Sequence, residues 1–333
     1  MKPDCDNMTG DLKTRVYEEV LKTGFPLELR TAHYLRGLGY HVAHNIYFLD
    51  RDEQKGREID LRALKNVFFN KGQGRYAVRH CLLLECKKTI SRPWVIFTSP
   101  AVSYDQDVSD IQTGGAKDGM WFEPSLQTLR RFEARHPWFS TADRGRSYFE
   151  PFANSPDSNQ TIFKALVSVV KALIEVRNAG FAVAGHRRLQ NLAFYYPLVV
   201  LEGQLFVARL ESSGLVVEEA TAVPVSFYYR SAQYVEEQAF TVLVVRETAF
   251  VQEIERLDAW LREAAEYLRN HTSRFSSGGQ ERRRQRNEKQ QQRRVGSEAP
   301  TSAPMNRNHA KDFIHHEDKN SPEKSIPKID PHA

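Results

Sequence analysis

Apolar positions recur along this chain at two periods, and each period predicts a different kind of element. Residues 11–22 (DLKTRVYEEVLK) place Leu12, Val16 and Val20 at helical spacing, with Gly24 as a stop. A second helix is predicted from Pro26, a favoured first-turn residue, to Leu38, with Gly39 capping its C-terminus. Residues 41–48 alternate as a strand does, and 50–56 (DRDEQKG) form a polar turn. Residues 58–64 (EIDLRAL) are a second strand, with Ile59, Leu61 and Ala63 on one face. A Gly-rich turn at 70–74 leads into 78–87 (VRHCLLLECK), a near-continuous apolar run of the kind buried on both faces of a sheet. Residues 94–98 are a short continuation.

Beyond this point the pattern breaks. Residues 99–156 mix Gly, Pro, Asp and Ser with aromatics such as Trp121, Phe122, Trp138 and Phe139, and predict an ordered insertion with little regular structure beyond one helix near 125–135. Helical spacing returns at 159–178, through Ile162, Leu166, Val169, Val170, Leu173 and Val176. Strands follow at 196–202 and 205–210, joined by a tight turn at Glu202-Gly203-Gln204. A buried strand at 240–246 and an amphipathic helix at 250–268 complete the ordered part. The expected layout is therefore a disordered start at 1–10, a core at 11–210 carrying the 99–156 insertion, and strands with a helix at 211–272 packed on that core. A disordered basic tail is expected at 273–333, because its Arg, Gln, Ser, Pro and Asn bury too little to offset chain entropy.

Charge changes this picture little. The net charge is +5, and residues 275–333 hold 12 Lys and Arg against 8 Asp and Glu, so the body is nearly neutral. Bulk electrostatics therefore does not advertise nucleic-acid binding, and any such function rests on a local site. The tail segment 281–294 (ERRRQRNEKQQQRR) reads either as a phosphate-binding arm or as a solvated tail. Cys5, Cys81 and Cys86 form no disulfide framework, which points to a reducing, cytoplasmic setting. No run approaches the roughly 20 apolar residues of a membrane span, and no secretory signal is expected at the N-terminus. Zinc spacing, a phosphate-binding P-loop and nucleophile-elbow motifs are absent from the sequence.

One constellation carries chemistry. The predicted helix 26–38 bears Glu28, the strand 58–64 bears Glu58 and Asp60, and the apolar strand ends in Glu85-Cys86-Lys87. Residues two apart on a strand share a face, so Glu85 and Lys87 point the same way, as do Glu58 and Asp60. If the two strands are hairpin neighbours, Asp60, Glu85 and Lys87 converge at one sheet edge. Buried charges are costly unless paired or metal-bound, and two carboxylates make a hard-oxygen site suited to Mg²⁺ or Mn²⁺.

Arg57-Glu58-Ile59-Asp60 and Leu84-Glu85-Cys86-Lys87-Lys88 together resemble the PD-(D/E)xK nuclease superfamily, in its restriction-endonuclease-like branch. The resemblance covers about residues 20–210; Ile59 stands where the name-giving proline would be. It implies an α/β fold with a mixed central sheet flanked by helices, in an αβββαβ core. It implies that Asp60 and Glu85 bind the metal, with the Cys86 carbonyl as a further ligand, and that Lys87 is the catalytic lysine. Glu28 fits the helical glutamate of several branches, and Gln160 fits a glutamine placed near the lysine in some; helix-start polarity accounts for either residue as well. Lys88 is expected on the opposite face as a surface charge.

The function so implied is metal-dependent hydrolysis of phosphodiester bonds, in DNA, within phage defence or repair. The alternative is a catalytically inactive nuclease fold that binds nucleic acid or protein. A homodimer and a separate partner protein are both compatible with the sequence; a membrane is not.

Overall fold

The apolar run around Leu82–Leu84 extends much further than its periodicity predicts. In the computed structural model it belongs to a strand of 27 residues, β3 (Gly74–Pro100), and the architecture is built round it. The structure describes residues 5–71, 74–100, 111–114, 120–121, 124–140, 143–152, 160–180, 189–234 and 238–271. Among them, α1 (Cys5–Lys22) and α2 (Phe25–Gly37) precede the hairpin strands β1 (His41–Asp50) and β2 (Lys55–Lys71). After β3 come β4 (Gln112–Gly114), β5 (Met120–Trp121), α3 (Leu126–Glu133) and β6 (Asp143–Phe149). Then follow α4 (Gln160–Ala179), β7 (Leu189–Glu211), β8 (Gly214–Glu219), β9 (Ala222–Tyr229), β10 (Gln238–Arg246) and α5 (Glu247–His271).

The fold is mixed α/β. β2 pairs antiparallel with the first half of β3, from Leu61 opposite Leu84 to Lys71 opposite Gly74. β7 runs parallel along the other edge of β3, from Arg75 opposite Leu189 to Phe97 opposite Ala208. β6 takes the second half of β3, β9 meets β6 through Gly145 opposite Val225, and β10 joins β9 to β7. Strands β3, β6, β9, β10 and β7 therefore close into a ring, a feature that the αβββαβ expectation does not contain.

Alternation along β3 sorts the core into two clusters. Cys81 and Leu83 pack with α4, beside Val199 and Leu201 of β7 and Val242 and Val244 of β10. Leu82, Leu84 and Cys86 pack on the other face with Leu27 and Leu35 of α2 and Ile254, Leu257 and Leu261 of α5. The continuous apolar reading of β3 follows from helices covering both faces.

Several expectations need correction. The first helix begins at Cys5, within the segment expected to be disordered. The turn at Glu202-Gly203-Gln204 does not exist, because β7 runs straight through it. Gly203 lies against Thr89 of β3, and a Cβ there would stand 2.5 Å from Thr89 Oγ1 and 2.9 Å from its carbonyl oxygen. Glycine serves close approach of two strands at that point, not a turn. The insertion is more regular than expected: besides the helix α3 it contributes the strands β4 and β5, which pair with β7, and β6, which pairs with β3. Gly39 does cap α2: its φ is +84°, and the N–H groups of Gly39 and Tyr40 donate to the carbonyls of Arg36 and Leu35, a Schellman pattern. The tail expected at 273–333 lies outside the described residues. Among the described residues no helix is long and apolar enough to cross a membrane.

Candidate active site

The site forms where β2 leaves β3. Their ladder ends with Leu61 opposite Leu84, so the next residues, Asp60 and Glu85, stand at the point of separation. β1 loosens at the same level. Its ladder with β2 skips Asn45 and Asp60 between two regular pairs, and Asn45 has φ +49°. Asparagine tolerates that left-handed conformation better than most residues. The backbone break turns the strand, so Ile59 packs with the α4 cluster while Leu61 and Ala63 pack with the α2/α5 cluster. Simple alternation places all three on one face, and Asn45 is why it fails.

Asp60 is thereby freed from both ladders. Its Oδ2 accepts the Cys86 N–H at 2.6 Å, an amide left open where β2 departs. The N–H and C=O of one strand residue point to the same edge, so the Cys86 carbonyl opens onto the same notch. The Cys86 thiol faces the α2/α5 core, and burial pushes its pKa well up; any ligand from this residue is its carbonyl. Glu85 and Lys87 project to the α4 side. Lys87 Nζ lies 2.5 Å from Glu85 Oε1, and Ser168 Oγ of α4 donates to Glu85 Oε2 at 3.2 Å.

Glu28 reaches the same neighbourhood from the first turn of α2. It feels Asp60 and Glu85 as like charges and Lys87 as an opposite one. α2 is held in place by Arg30, which bonds Glu202 of β7 at 2.8 Å and Glu247 of α5 at 2.5 Å. Lys88 is not a free surface charge: it bonds Glu202 at 3.3 Å and the Leu21 carbonyl at 2.5 Å, tying the end of α1 to the sheet. Glu58 is exposed. Gln160 opens α4, and its side chain lies outside the described residues.

The electrostatics are unbalanced. Burial raises the pKa of Asp60, against the pull of the Cys86 amide and Lys87. Burial also raises Glu85, again against Lys87 and with help from Asp60. Glu28 is raised by burial and then by Asp60 and Glu85. Burial favours the neutral amine at Lys87, but Glu85 outweighs it and the pKa of Lys87 is raised, so it keeps its proton at neutral pH. Three carboxyl groups thus share one ammonium, an excess of negative charge in a partly desolvated place.

The donor set suits a hard divalent cation: Asp60 and Glu85 carboxylates, with the Cys86 carbonyl on the same edge. Among the described residues no group of three His, Cys, Asp or Glu side chains converges in ligating geometry. Glu85 is turned towards Lys87 and Ser168, and one oxygen of Asp60 is occupied by the Cys86 amide. Ser168 and Asn45 belong to the site although no motif marks them. The only signal for Ser168 is a hydroxyl inside the apolar run ALVSVVKAL; for Asn45 it is an asparagine inside a strand. No family model matches the chain, and no curated protein and no solved structure matches it.

Proposed function

We propose that this chain is a metal-dependent nuclease of the PD-(D/E)xK type, built on a restriction-endonuclease-like core and hydrolysing phosphodiester bonds in DNA. One observation carries the reading. Asp60, Glu85 and Lys87, with Glu28 beside them, meet where a strand pair separates, and their carboxyl groups outnumber the one ammonium. A structural ion pair needs one acid for one base. Three acids round one lysine leave a charge that a cation satisfies.

Asp60, Glu85 and the Cys86 carbonyl would hold Mg²⁺ or Mn²⁺, with Glu28 at its margin. A divalent ion in this place supplies Lewis acidity towards phosphate oxygens and water. The chain's own residues do the rest. Lys87 is protonated, so it acts as a donor that orients water and offsets negative charge developing on the phosphate, not as a general base. The proton of the attacking water must then pass to a carboxylate. Glu28, which stands beside the ligands, suits that task because its raised proton affinity brings it closer to the working pH. Ser168 fixes the rotamer of Glu85 by holding its second oxygen.

The test is cleavage of single- and double-stranded DNA and RNA with Mg²⁺ or Mn²⁺, beside Lys87→Ala. Lys87→Ala is expected to lower cleavage by about a hundredfold to a thousandfold; removing the one ammonium among three carboxyl groups also lowers the melting temperature, so circular dichroism at the assay temperature must show the variant folded. A parent protein inert on every substrate, or a variant as active as the parent, overturns the assignment and favours a binding scaffold on the same fold.

A further inference from the structure

Every described side chain of α1, residues 11–22, is exposed, including Leu12, Val16, Tyr17, Val20 and Leu21. Leu12 is 60% exposed and Tyr17 62%. The helix has little to hold it by itself: it contains no alanine, two valines and an internal Gly10. Most helices in proteins owe their stability to packing of an apolar face, and on this face Leu12, Val16, Tyr17, Val20 and Leu21 remain 40–62% exposed. The Lys88 bond to the Leu21 carbonyl ties one end of it to the sheet.

The pattern on α1 states what would cover it. Leu12, Val16 and Val20 form one i, i+4, i+8 row, with Tyr17 and Leu21 beside it. Arg15 and Glu19, also four apart, lie along one flank of that face, and residue 17 is their midpoint. Turning a second copy of the helix end over end about Tyr17 brings Arg15 of each copy beside Glu19 of the other, and lays the Leu12 end of one row against the Val20–Leu21 end of the other. The helix is complementary to itself in antiparallel orientation, in charge and in apolar pattern together. Glu19 otherwise holds the exposed Lys22 of its own helix, and Arg15 has no ion partner among the described residues. Mixed charges at the rim also suit a protein partner better than a lipid surface. Phe25 and Leu29 of α2, 59% and 61% exposed, offer further apolar surface next in the chain.

We infer that α1 is a dimerisation helix, and that two copies of this chain associate through antiparallel packing of their α1 helices about Tyr17. The interface is small, so the dimer is reversible, with a dissociation constant of about micromolar order. This inference is independent of the chemistry at Asp60 and Glu85.

Sedimentation velocity on the full chain over about 1–100 µM tests it, on the affinity scale that range covers. The parent is expected to shift from monomer to dimer with concentration. Arg15→Glu and Glu19→Arg, each creating two like-charge contacts, are expected to weaken the dimer at least about tenfold. The combined R15E/E19R variant is expected to recover the parent's affinity to within about threefold. A protein monomeric at every concentration overturns the inference, whether its α1 is covered by residues 272–333 or by another protein. So does a dimer indifferent to both single variants, or a combined variant no better than the singles.

Discussion

Glu28 shows what a single side chain reports about this site. It ionises against burial and against Asp60 and Glu85, with Lys87 alone in its favour, so its pKa is raised on folding. Such a group contributes stability that is fully present below its unfolded pKa and is lost as pH rises through the folded one. At neutral pH the charged form is therefore a liability to the metal-free fold. Glu28→Gln is expected to raise the melting temperature of the metal-free protein and to shrink the rise produced by Mn²⁺, both in one thermal-shift series. A lower melting temperature for Glu28→Gln without metal would contradict the electrostatic account. At this scale much was legible in the sequence. A run as apolar as Cys81–Leu84 does not end in Glu85 and Lys87 without a reason, and Asp60 sits on the neighbouring strand. Asn45 and Ser168 were not legible, because their roles depend on what lies opposite them. Asn45 matters through Asp60 across a strand pair, and Ser168 through Glu85 across a helix–sheet contact.

At the scale of elements, α4 is fastened by ions as well as by its apolar face. Lys171 bonds Asp50 at 2.8 Å and Asp52 at 2.8 Å, and Asp50 is almost fully buried. Removing the ammonium leaves a buried carboxylate dependent on Arg57 alone among nearby cations. Lys171→Met is expected to destabilise the fold by about 3–5 kcal/mol, measured by urea unfolding. Acid attacks the same joint. Burial pushes Asp52 up, but Lys171 and the hydroxyls of Ser231 and Tyr229 pull it down to about 2, below its ordinary 3.8. That contribution is present above the unfolded value and is lost as pH falls from about 4 towards about 2, and the Lys171→Met variant is expected to lose the share of this acid dependence that Lys171 supplies, with the Ser231 and Tyr229 share retained. The helices α2, α4 and α5 were readable from period alone, within a few residues at either end. Strands were harder. Gly203 carries the same turn signal whether it bends the chain or lets β7 press against Thr89, and only the neighbour decides.

The closed ring belongs to the whole molecule, and no local pattern predicts it. β6 and β9 meet at Gly145 and Val225, residues far apart in sequence. A Cβ on Gly145 would stand 2.5 Å from Ile96 Cγ2 and 3.0 Å from Val225 Cγ2. Gly145→Val is therefore expected to pry β6 from β9 and to cost about 1–3 kcal/mol, with faster amide exchange in both strands as the signature of opening. An unchanged exchange rate there would show that the ring does not depend on this contact. The ring also explains why the sheet was under-read: β6 lies in a segment whose Gly and Asp content obscures its alternation, and β8 and β9 sit between stronger signals.

One consequence concerns the order in which the chain is made. Glu28, Asp60, Glu85 and Lys87 all leave the ribosome early, but the edge that holds β3 in place is β7, from Leu189 onward, and Glu85 meets Ser168 only when α4 docks. Such distant pairing is slow to form and absent from a product that stops between Lys87 and Leu189. A prematurely terminated chain therefore carries every acidic and basic group of the site with no scaffold to assemble them. Translation must run past β7 before the notch exists.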